Sequence, residues 1–389
     1  MTGTTASARG RARALERSHR RNAHERGNTV ELQRQLDAME LGTRDYKRVI
    51  ALILKIHNAQ HAGKHKGVSF KTMRERENFY FAYFQDLRCE TPYRNIEPRT
   101  LAPRHVEAMA ENWEARGLAE GTIANYLSYL RTWCQWTGRP PETVKDAAHY
   151  FGEDSPLARR RQAAEYDHGW VAAGIDHADI LPKIAAICPY VAIQTEFSRL
   201  FAARPKEARC LRPHEAVIPI ADAIAEDIPT GTGATHCLRF GHGTKGGRVR
   251  DTPIVTPAQW ELIERAKAMV EPDQHLGRPG YSLLSNTAHY YRVLAKVGIT
   301  RTLIGTSGHG LRHERAGELY EAIAGAPPPV RGGLPPDREA DREARTAVAR
   351  LLGHNRPQVS NCYLGQSVVM RSKLHKGPPG AEPDGSSST

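Results

Sequence analysis

The stretch Gly243-Thr244-Lys245-Gly246-Gly247 constrains the fold most tightly. Its glycines mark a turn. His236-Cys237-Leu238-Arg239-Phe240 before it and residues 248–254 after it read as two strands folded back on each other. Elsewhere the apolar residues recur at helical spacing. Val49, Leu52, Ile53 and Ile56 fall on one face, as do Ile123, Leu127, Leu130 and Cys134. Ile184, Ile187, Val191 and Ile193 repeat the pattern, and so, after Pro257, do Trp260, Ile263 and Ala266, then Tyr290, Leu294 and Val297. Helices are therefore expected on both sides of one short antiparallel pairing.

Residues 30–141 read as a small all-helical domain. Glu120-Gly121-Thr122 predicts a helix start, Gly138, Pro140 and Pro141 supply its stop, and Arg116-Gly117-Leu118 marks a helix end and loop. The dense aromatics Phe79, Tyr80, Phe81, Tyr83, Phe84, Trp113, Trp133 and Trp136 are expected to form its core. Ahead of it lies an arginine-rich polar arm, and after it a charged stretch containing Arg159-Arg160-Arg161 that reads as a linker. The run Ala324-Gly325-Ala326-Pro327-Pro328-Pro329 and its continuation to Pro336 predict a loop interrupting the second domain. The Gly/Pro/Ser-rich end from about residue 377 reads as disordered, and no solenoid-period repeat is visible.

A chain of 389 residues suits two domains with tails. Its formal net charge of +12 points to a polyanionic partner, nucleic acid first, because phosphate neutralisation and counterion release drive such binding. No apolar run approaches the roughly 18 residues that would span a bilayer, and no secretory signal is visible. The six cysteines contain no Cys-x-x-Cys pair, which argues against a zinc cluster or a disulfide framework. A cytosolic, reduced, metal-free protein is expected.

The chemistry-bearing residues come in short groups. Leu351-Leu352-Gly353-His354 runs through a short helix and turn to Tyr363; upstream stand His309-Gly310-Leu311-Arg312-His313 and Arg204-Pro205-Lys206-Glu207. A phenol attacking a phosphodiester needs placement in line, cations on the equatorial oxygens and an acid for the departing alkoxide. Free phenol has a pKa of about 10, so it reacts only with local help. Arginine suits the clamp because its planar fork donates bidentately and keeps its charge. His309 and Arg312 are spaced one helical turn apart, as are Arg204 and Glu207, where the carboxylate would buttress the guanidinium. Lys245 at the hairpin tip is placed to reach a leaving oxygen.

Taken together these segments resemble the tyrosine recombinase (phage integrase) family. Ala203-Arg204-Pro205-Lys206-Glu207-Ala208-Arg209-Cys210-Leu211 resembles its first arginine box, and Thr244-Lys245 through Pro253-Ile254 its lysine-bearing hairpin. Gly308-His309-Gly310-Leu311-Arg312-His313 resembles its His-x-x-Arg-His box, and Leu352-Gly353-His354 to Tyr363 its final box. Gly117-Leu118-Ala119-Glu120-Gly121-Thr122 and the helix that follows are similar to its core-binding domain.

The resemblance implies a mainly α fold with a small antiparallel β-sheet in the catalytic domain, arranged as a two-domain C-shaped DNA clamp. The expected divisions are a basic arm at 1–43, a helical core-binding (SAM-like) domain at 44–141, a linker at 142–162, a catalytic domain at 163–375 with a Pro/Gly-rich insertion at 324–345, and a disordered tail at 376–389. It implies that Tyr363 attacks the scissile phosphate to form a 3′-phosphotyrosyl link, that Arg204 and Arg312 clamp it, and that Lys245 is the general acid. His309 and His354 would bond the phosphate or act in acid–base roles, with Glu207 and His313 supporting. No cofactor and no metal are implied. The implied partner is double-stranded DNA bearing specific sites, engaged by a homotetramer with accessory DNA-bending or directionality proteins, in the bacterial cytoplasm or nucleoid and not at a membrane. Val368-Val369-Met370 is a candidate contact to a neighbouring subunit.

Two other readings share these residues: a type IB topoisomerase-like enzyme, and a catalytically silent DNA-binding protein of the same fold. The sequence departs from the family pattern in three places. Gly310 stands where an acidic residue is usual, Ala202-Ala203 replaces Gly-Leu before Arg204, and the connection from Arg312 to His354 is long.

Overall fold

A computed structural model of the chain describes residues 28–42, 44–60, 67–160, 162–229, 231–335, 337–354 and 356–366. The far N-terminal arm, the C-terminal tail and the Val368-Val369-Met370 segment lie outside the described residues. The chain divides into two units, Met1–Arg161 and Gln162–Thr389.

Among its described residues the first unit is mainly helical: α1 (28–37), α2 (Tyr46–His57), α3 (Phe70–Glu90), α4 (Pro103–Ala115), α5 (Glu120–Trp136) and α6 (Ala147–Phe151). The starts are chemically marked. The Asp45 side chain accepts from the Arg48 N–H, Ser69 accepts from the Thr72 N–H, and Pro103 opens α4 where a missing N–H costs nothing. Helix α5 begins at Glu120, ahead of Thr122, because an acidic side chain in the first turn complements the exposed N–H groups. It ends where Gly138 adopts φ +70°.

Phe79, Tyr80, Tyr83, Phe84, Trp113 and Trp133 are buried with Val49, Ile53, Leu127 and Leu130, while Phe81 and Trp136 pack at the edge. The polar handles are satisfied on carbonyls: Tyr80 on Tyr129 (2.7 Å), Tyr83 on His105 (3.2 Å) and Trp133 on Pro98 (2.8 Å). This core reaches past the expected 44–141 domain at both ends. Leu36 of α1 is buried in it, and Tyr150 and Phe151 of α6 pack against it.

In the second unit α7 (His177–Ile187), α8 (Pro189–Phe201), α9 (Pro205–Cys210) and α10 (Pro213–Ala216) lead into a three-stranded antiparallel sheet. Its order is β1 (Val217–Pro219), β2 (His236–Phe240), β3 (Arg250–Pro253). Val217 pairs with Leu238, and Leu238 with Thr252. The fold is thus mainly α with a small antiparallel sheet, as the sequence led us to expect. Strand β1 is too short to show a period of its own, and the strand after the turn begins only at Arg250 because Gly246 and Gly247, both at φ +74°, form a tight turn outside the ladder.

The remaining helices are α11 (Pro257–Lys267), α12 (Leu283–Lys296), α13 (Arg301–Ile304), α14 (Gly310–Ala324), α15 (Arg338–Leu351) and α16 (Asn361–Leu364). The Pro/Gly-rich stretch is irregular apart from a turn at Pro329–Arg331. It gives way at Arg338, where Asp337 caps α15 by accepting from the Ala340 N–H. Ala316, Tyr320 and Ala324 of α14 bury against Ala344 and Val348 of α15, and Tyr363 and Leu364 of α16 complete that core. Among the described residues no helix is long and apolar enough to cross a membrane.

Candidate active site

Helix α8 ends in a left-handed turn at Ala202 (φ 49°), the one positive-φ residue among those described that is not glycine. The turn aims the Ala202 carbonyl inward, where Arg312 Nη1 donates to it. Two residues on, Arg204 caps α9. Its backbone N–H donates to Glu207 Oε2 (2.8 Å) and its Nη1 to Glu207 Oε1 (2.5 Å). The sequence pair Arg204/Glu207 is therefore one local unit, a helix start whose first-turn carboxylate doubles as an ion-pair partner.

Glu207 is fully buried and serves more than Arg204. Arg250 Nη2 donates to its Oε2 at 3.1 Å, and Arg312 Nη1 lies 3.9 Å away. Burial by itself would raise the carboxyl's pKa, but Arg250, Arg312 and Arg204, with the Arg204 N–H, bring it down to about 2.

Arg312, in the first turn of α14, is wholly buried. Its Nη2 donates to the Leu352 carbonyl (2.5 Å) and its Nε to the Tyr363 hydroxyl (3.3 Å). Burial holds its pKa down to about 10, which leaves it charged at neutral pH. Arg204 Nη2 donates to the same Leu352 carbonyl (3.3 Å) and stands 3.3 Å from His354 Nε2. The turn after α15 thus carries a carbonyl that both arginines grip and a histidine that one of them touches. Gly353 makes the turn possible: at φ +64° its added Cβ would lie 2.9 Å from Arg250 Cδ.

His309, the residue before α14, stands with Nε2 3.5 Å from the Tyr363 hydroxyl. The His313 ring packs 4.5 Å from the tyrosine ring, and His354 lies 5.8 Å from it. All three imidazoles are held neutral. Burial, then Arg312 and Arg204, lowers His309 to about 4; burial, then His309, His168 and Arg312, lowers His313 to about 3. Burial, then Arg312, Arg204 and Lys245, lowers His354 to about 3. The lysine's charge is thus felt at His354, although Lys245 itself is exposed at the hairpin tip. The hairpin base is seated on α9, where Gly243 (φ +72°) approaches so closely that an added Cβ would lie 2.9 Å from the Lys206 carbonyl oxygen.

The structure therefore gathers Arg204, Glu207, His309, Arg312, His313, His354 and Tyr363 around one phenol, with Lys245 at the exposed edge. Two contributors escaped sequence reading. Arg250 looks like one more arginine of a basic hairpin, yet it is 1% exposed, bonded to Glu207, Thr252 and the Leu351 carbonyl. His168 lies 5.2 Å from the His313 ring and belongs to no motif. The departure at Gly310 has a steric cause. A Cβ there would fall 2.1 Å from Thr306 Oγ1 and 2.4 Å from the His168 carbonyl oxygen, so no acidic side chain fits. Among the described residues no group of His, Cys, Asp and Glu is arranged to hold a metal ion.

Comparison with known family models bears on the first unit. Residues 55–142 match the family model described as phage integrase, N-terminal. That first-unit segment is thus similar to a phage integrase N-terminal domain. No curated protein matches the chain by sequence.

Among solved structures, the XerH site-specific recombinase bound to difH substrate is similar at 15% identity and a TM-score of 0.47, covering 90% of this chain and 88% of that one. The Tn1549 transposon integrase in complex with circular intermediate DNA is similar at 12% identity and a TM-score of 0.44, covering 79% and 94%. The lambda integrase dimer bound to a COC' core site is similar at 14% identity and a TM-score of 0.40, covering 82% and 76%.

Proposed function

We propose that this chain is a site-specific DNA recombinase that cleaves and rejoins strands through a 3′-phosphotyrosyl intermediate on Tyr363, in the service of integrating or excising a mobile element. One observation carries the reading: the Tyr363 hydroxyl lies between a charged guanidinium nitrogen, Arg312 Nε at 3.3 Å, and a neutral imidazole nitrogen, His309 Nε2 at 3.5 Å. The N-terminal domain match and the net charge of +12 support a DNA substrate.

In this reading the phenol oxygen attacks the scissile phosphorus and its proton passes to His309, which burial keeps neutral and able to accept. The bond to the 5′ oxygen breaks, and Lys245 protonates that oxygen. Arg204 and Arg312 bind the non-bridging oxygens as charge develops, and His354 adds a hydrogen bond. Glu207 fixes the arginines and His313 packs against the phenol ring. Attack by a 5′-hydroxyl of a second strand reverses the sequence and frees Tyr363. The substrate is double-stranded DNA with specific sites. Four copies act on two such sites, with accessory DNA-bending or directionality proteins, in the bacterial cytoplasm or nucleoid.

The test is denaturing capture of protein-linked DNA from cells expressing the wild type and Tyr363→Phe, followed by sequencing of the ends. Fragments joined through a 3′ phosphate are expected in the wild type alone. Equal background recovery from both, repeated with DNA of the source element, would leave a silent DNA-binding protein. A two-site synapsis assay separates recombination from topoisomerase-like religation. Arg204→Ala is the cleaner clamp variant, because it leaves both carbonyls held by the buried Arg312 in place. It should cut covalent-complex formation by roughly 100-fold or more with little loss of DNA affinity; an equal loss of both would refute its transition-state role.

A further inference from the structure

Helix α16 is a single turn, too short to hold itself together, yet it carries the phenol of the site. Its placement therefore comes from outside. Arg345, in the middle of α15 and 4% exposed, supplies a hydrogen bond at each end of that turn: Nη1 donates to Asn361 Oδ1 at 2.8 Å and to the Gly365 carbonyl at 3.1 Å. The guanidinium is itself held. Its Nε donates to both Asp341 oxygens (2.9 and 3.0 Å), and Asp341 accepts from the Tyr320 hydroxyl at 2.6 Å. The chain from Tyr320 through Asp341 to Arg345 thus links the body of α14, which carries Arg312, to the tyrosine turn.

The outer side of the turn is closed by backbone. The Ala164 N–H donates to the Asn361 carbonyl at 2.9 Å. Gly365 (φ +75°) abuts the Pro/Gly-rich segment so closely that an added Cβ would lie 2.9 Å from the Val330 nitrogen.

We propose that Arg345 is a positioning residue for Tyr363, its Nη1 bracketing Asn361 and Gly365 so that the phenol is presented to Arg312 and His309 by its own chain. The proposal rests on the reading of Tyr363 as nucleophile. It assigns Arg345 no contact with DNA or with the reacting atoms. Lysine cannot substitute, because one ammonium does not reproduce a planar fork aimed at Asp341 on one edge and at both ends of α16 on the other.

The experiment places 3-fluorotyrosine at position 363 of the full chain and follows it by fluorine NMR, with a second sample labelled at the buried Tyr290 as reference. Two variants are compared with wild type. R345K retains the positive charge, and Asn361→Ala leaves the Arg345–Asp341 pair intact, so neither depends on surviving the loss of a buried ion pair. In both, the resonance at 363 should move toward that of free 3-fluorotyrosine and broaden with a soluble gadolinium chelate, while the resonance at 290 stays fixed. Covalent capture should fall by about 100-fold with DNA affinity retained, as expected for a displaced nucleophile.

An unmoved resonance at 363 in both variants would overturn the proposal, and so would equal movement at 290, which marks general loosening. The NMR readout needs no DNA. Failure here is therefore distinct from failure of the nucleophile reading, which shows as equal capture by wild type and Tyr363→Phe.

Discussion

Glu207 is the residue on which the charge balance of the site turns. One buried carboxylate faces Arg204, Arg250 and Arg312, and removing its charge leaves three guanidinium groups converging on a neutral amide. Glu207→Gln should destabilise the second unit by about 3–5 kcal/mol, the cost of breaking a buried pair from one side; a denaturant midpoint close to wild type would contradict this. The carboxyl's folded pKa, about 2, lies below its ordinary 4.5. Its contribution to stability is therefore complete above about pH 4.5 and is lost as pH falls toward 2. Arg312 is built the same way, its three nitrogens shared among two carbonyls and a phenol, so truncating it removes structure along with charge. Arg204, half-buried, is the separable member of the pair.

Two glycines decide whether the helix and the hairpin reach their places. Gly310 opens α14 beneath Thr306 Oγ1, which donates to the His168 carbonyl at 2.5 Å. Restoring an acidic side chain by Gly310→Asp should push α14 away from that contact and lower the melting temperature by several degrees, with loss of covalent capture. A variant as stable and active as wild type would show that the close approach is relieved at no cost. The positive φ of Gly243 and its contact with Lys206 seat the lysine hairpin on α9, so Lys245 and Arg204 share one support. Helix α15 buries one face against α14 and ends on the turn carrying His354, so the two helices set the distance between the second and final boxes.

Across the chain, net charge and titration set how it would meet DNA, on the proposed function, and how it responds to acid. DNA affinity should fall steeply with salt, with a slope of roughly −0.9 per phosphate neutralised in a plot of log K against log salt, measured by fluorescence anisotropy. Deleting residues 1–27, which carry Arg9, Arg11, Arg13, Arg17, Arg20, Arg21 and Arg26, should flatten that slope if the arm lies on the backbone; an unchanged slope removes it from the interface. Stability should also respond to mild acid. His309, His313 and His354 titrate below their ordinary 6.5, at about 4, 3 and 3. The unfolded chain therefore binds more protons than the folded one as pH drops below about 6.5, and stability falls with it. Thermal melts from pH 7 to pH 5 should show a declining midpoint in the wild type, and a shallower decline in His313→Gln. Equal slopes would show that His313 does not stay neutral in the folded chain.

Much of this was legible in the order of residues. Helical periodicity, Gly138 and the prolines after it, and the glycines of the hairpin are local signals, and local sterics and hydrogen bonding enforce them without help from the rest of the chain. Arg204 with Glu207 was readable for the same reason, since both sit within one helix start. What the sequence could not rank was which charges go inside. Arg250 and Arg345 carry no local mark of burial, because a buried cation is stable only where enough partners converge on it, and His168 belongs to no motif. Glu207 for Arg250, and Asn361 and the Gly365 carbonyl for Arg345, come from other elements, while Asp341 adds a partner one turn away on the same helix. The identity of the candidate side chains was thus set by sequence. The burial that keeps three histidines neutral, and the brackets that hold a one-turn tyrosine helix in place, were decided by tertiary packing, because desolvation and buried hydrogen bonds exist only once the chain has closed around them.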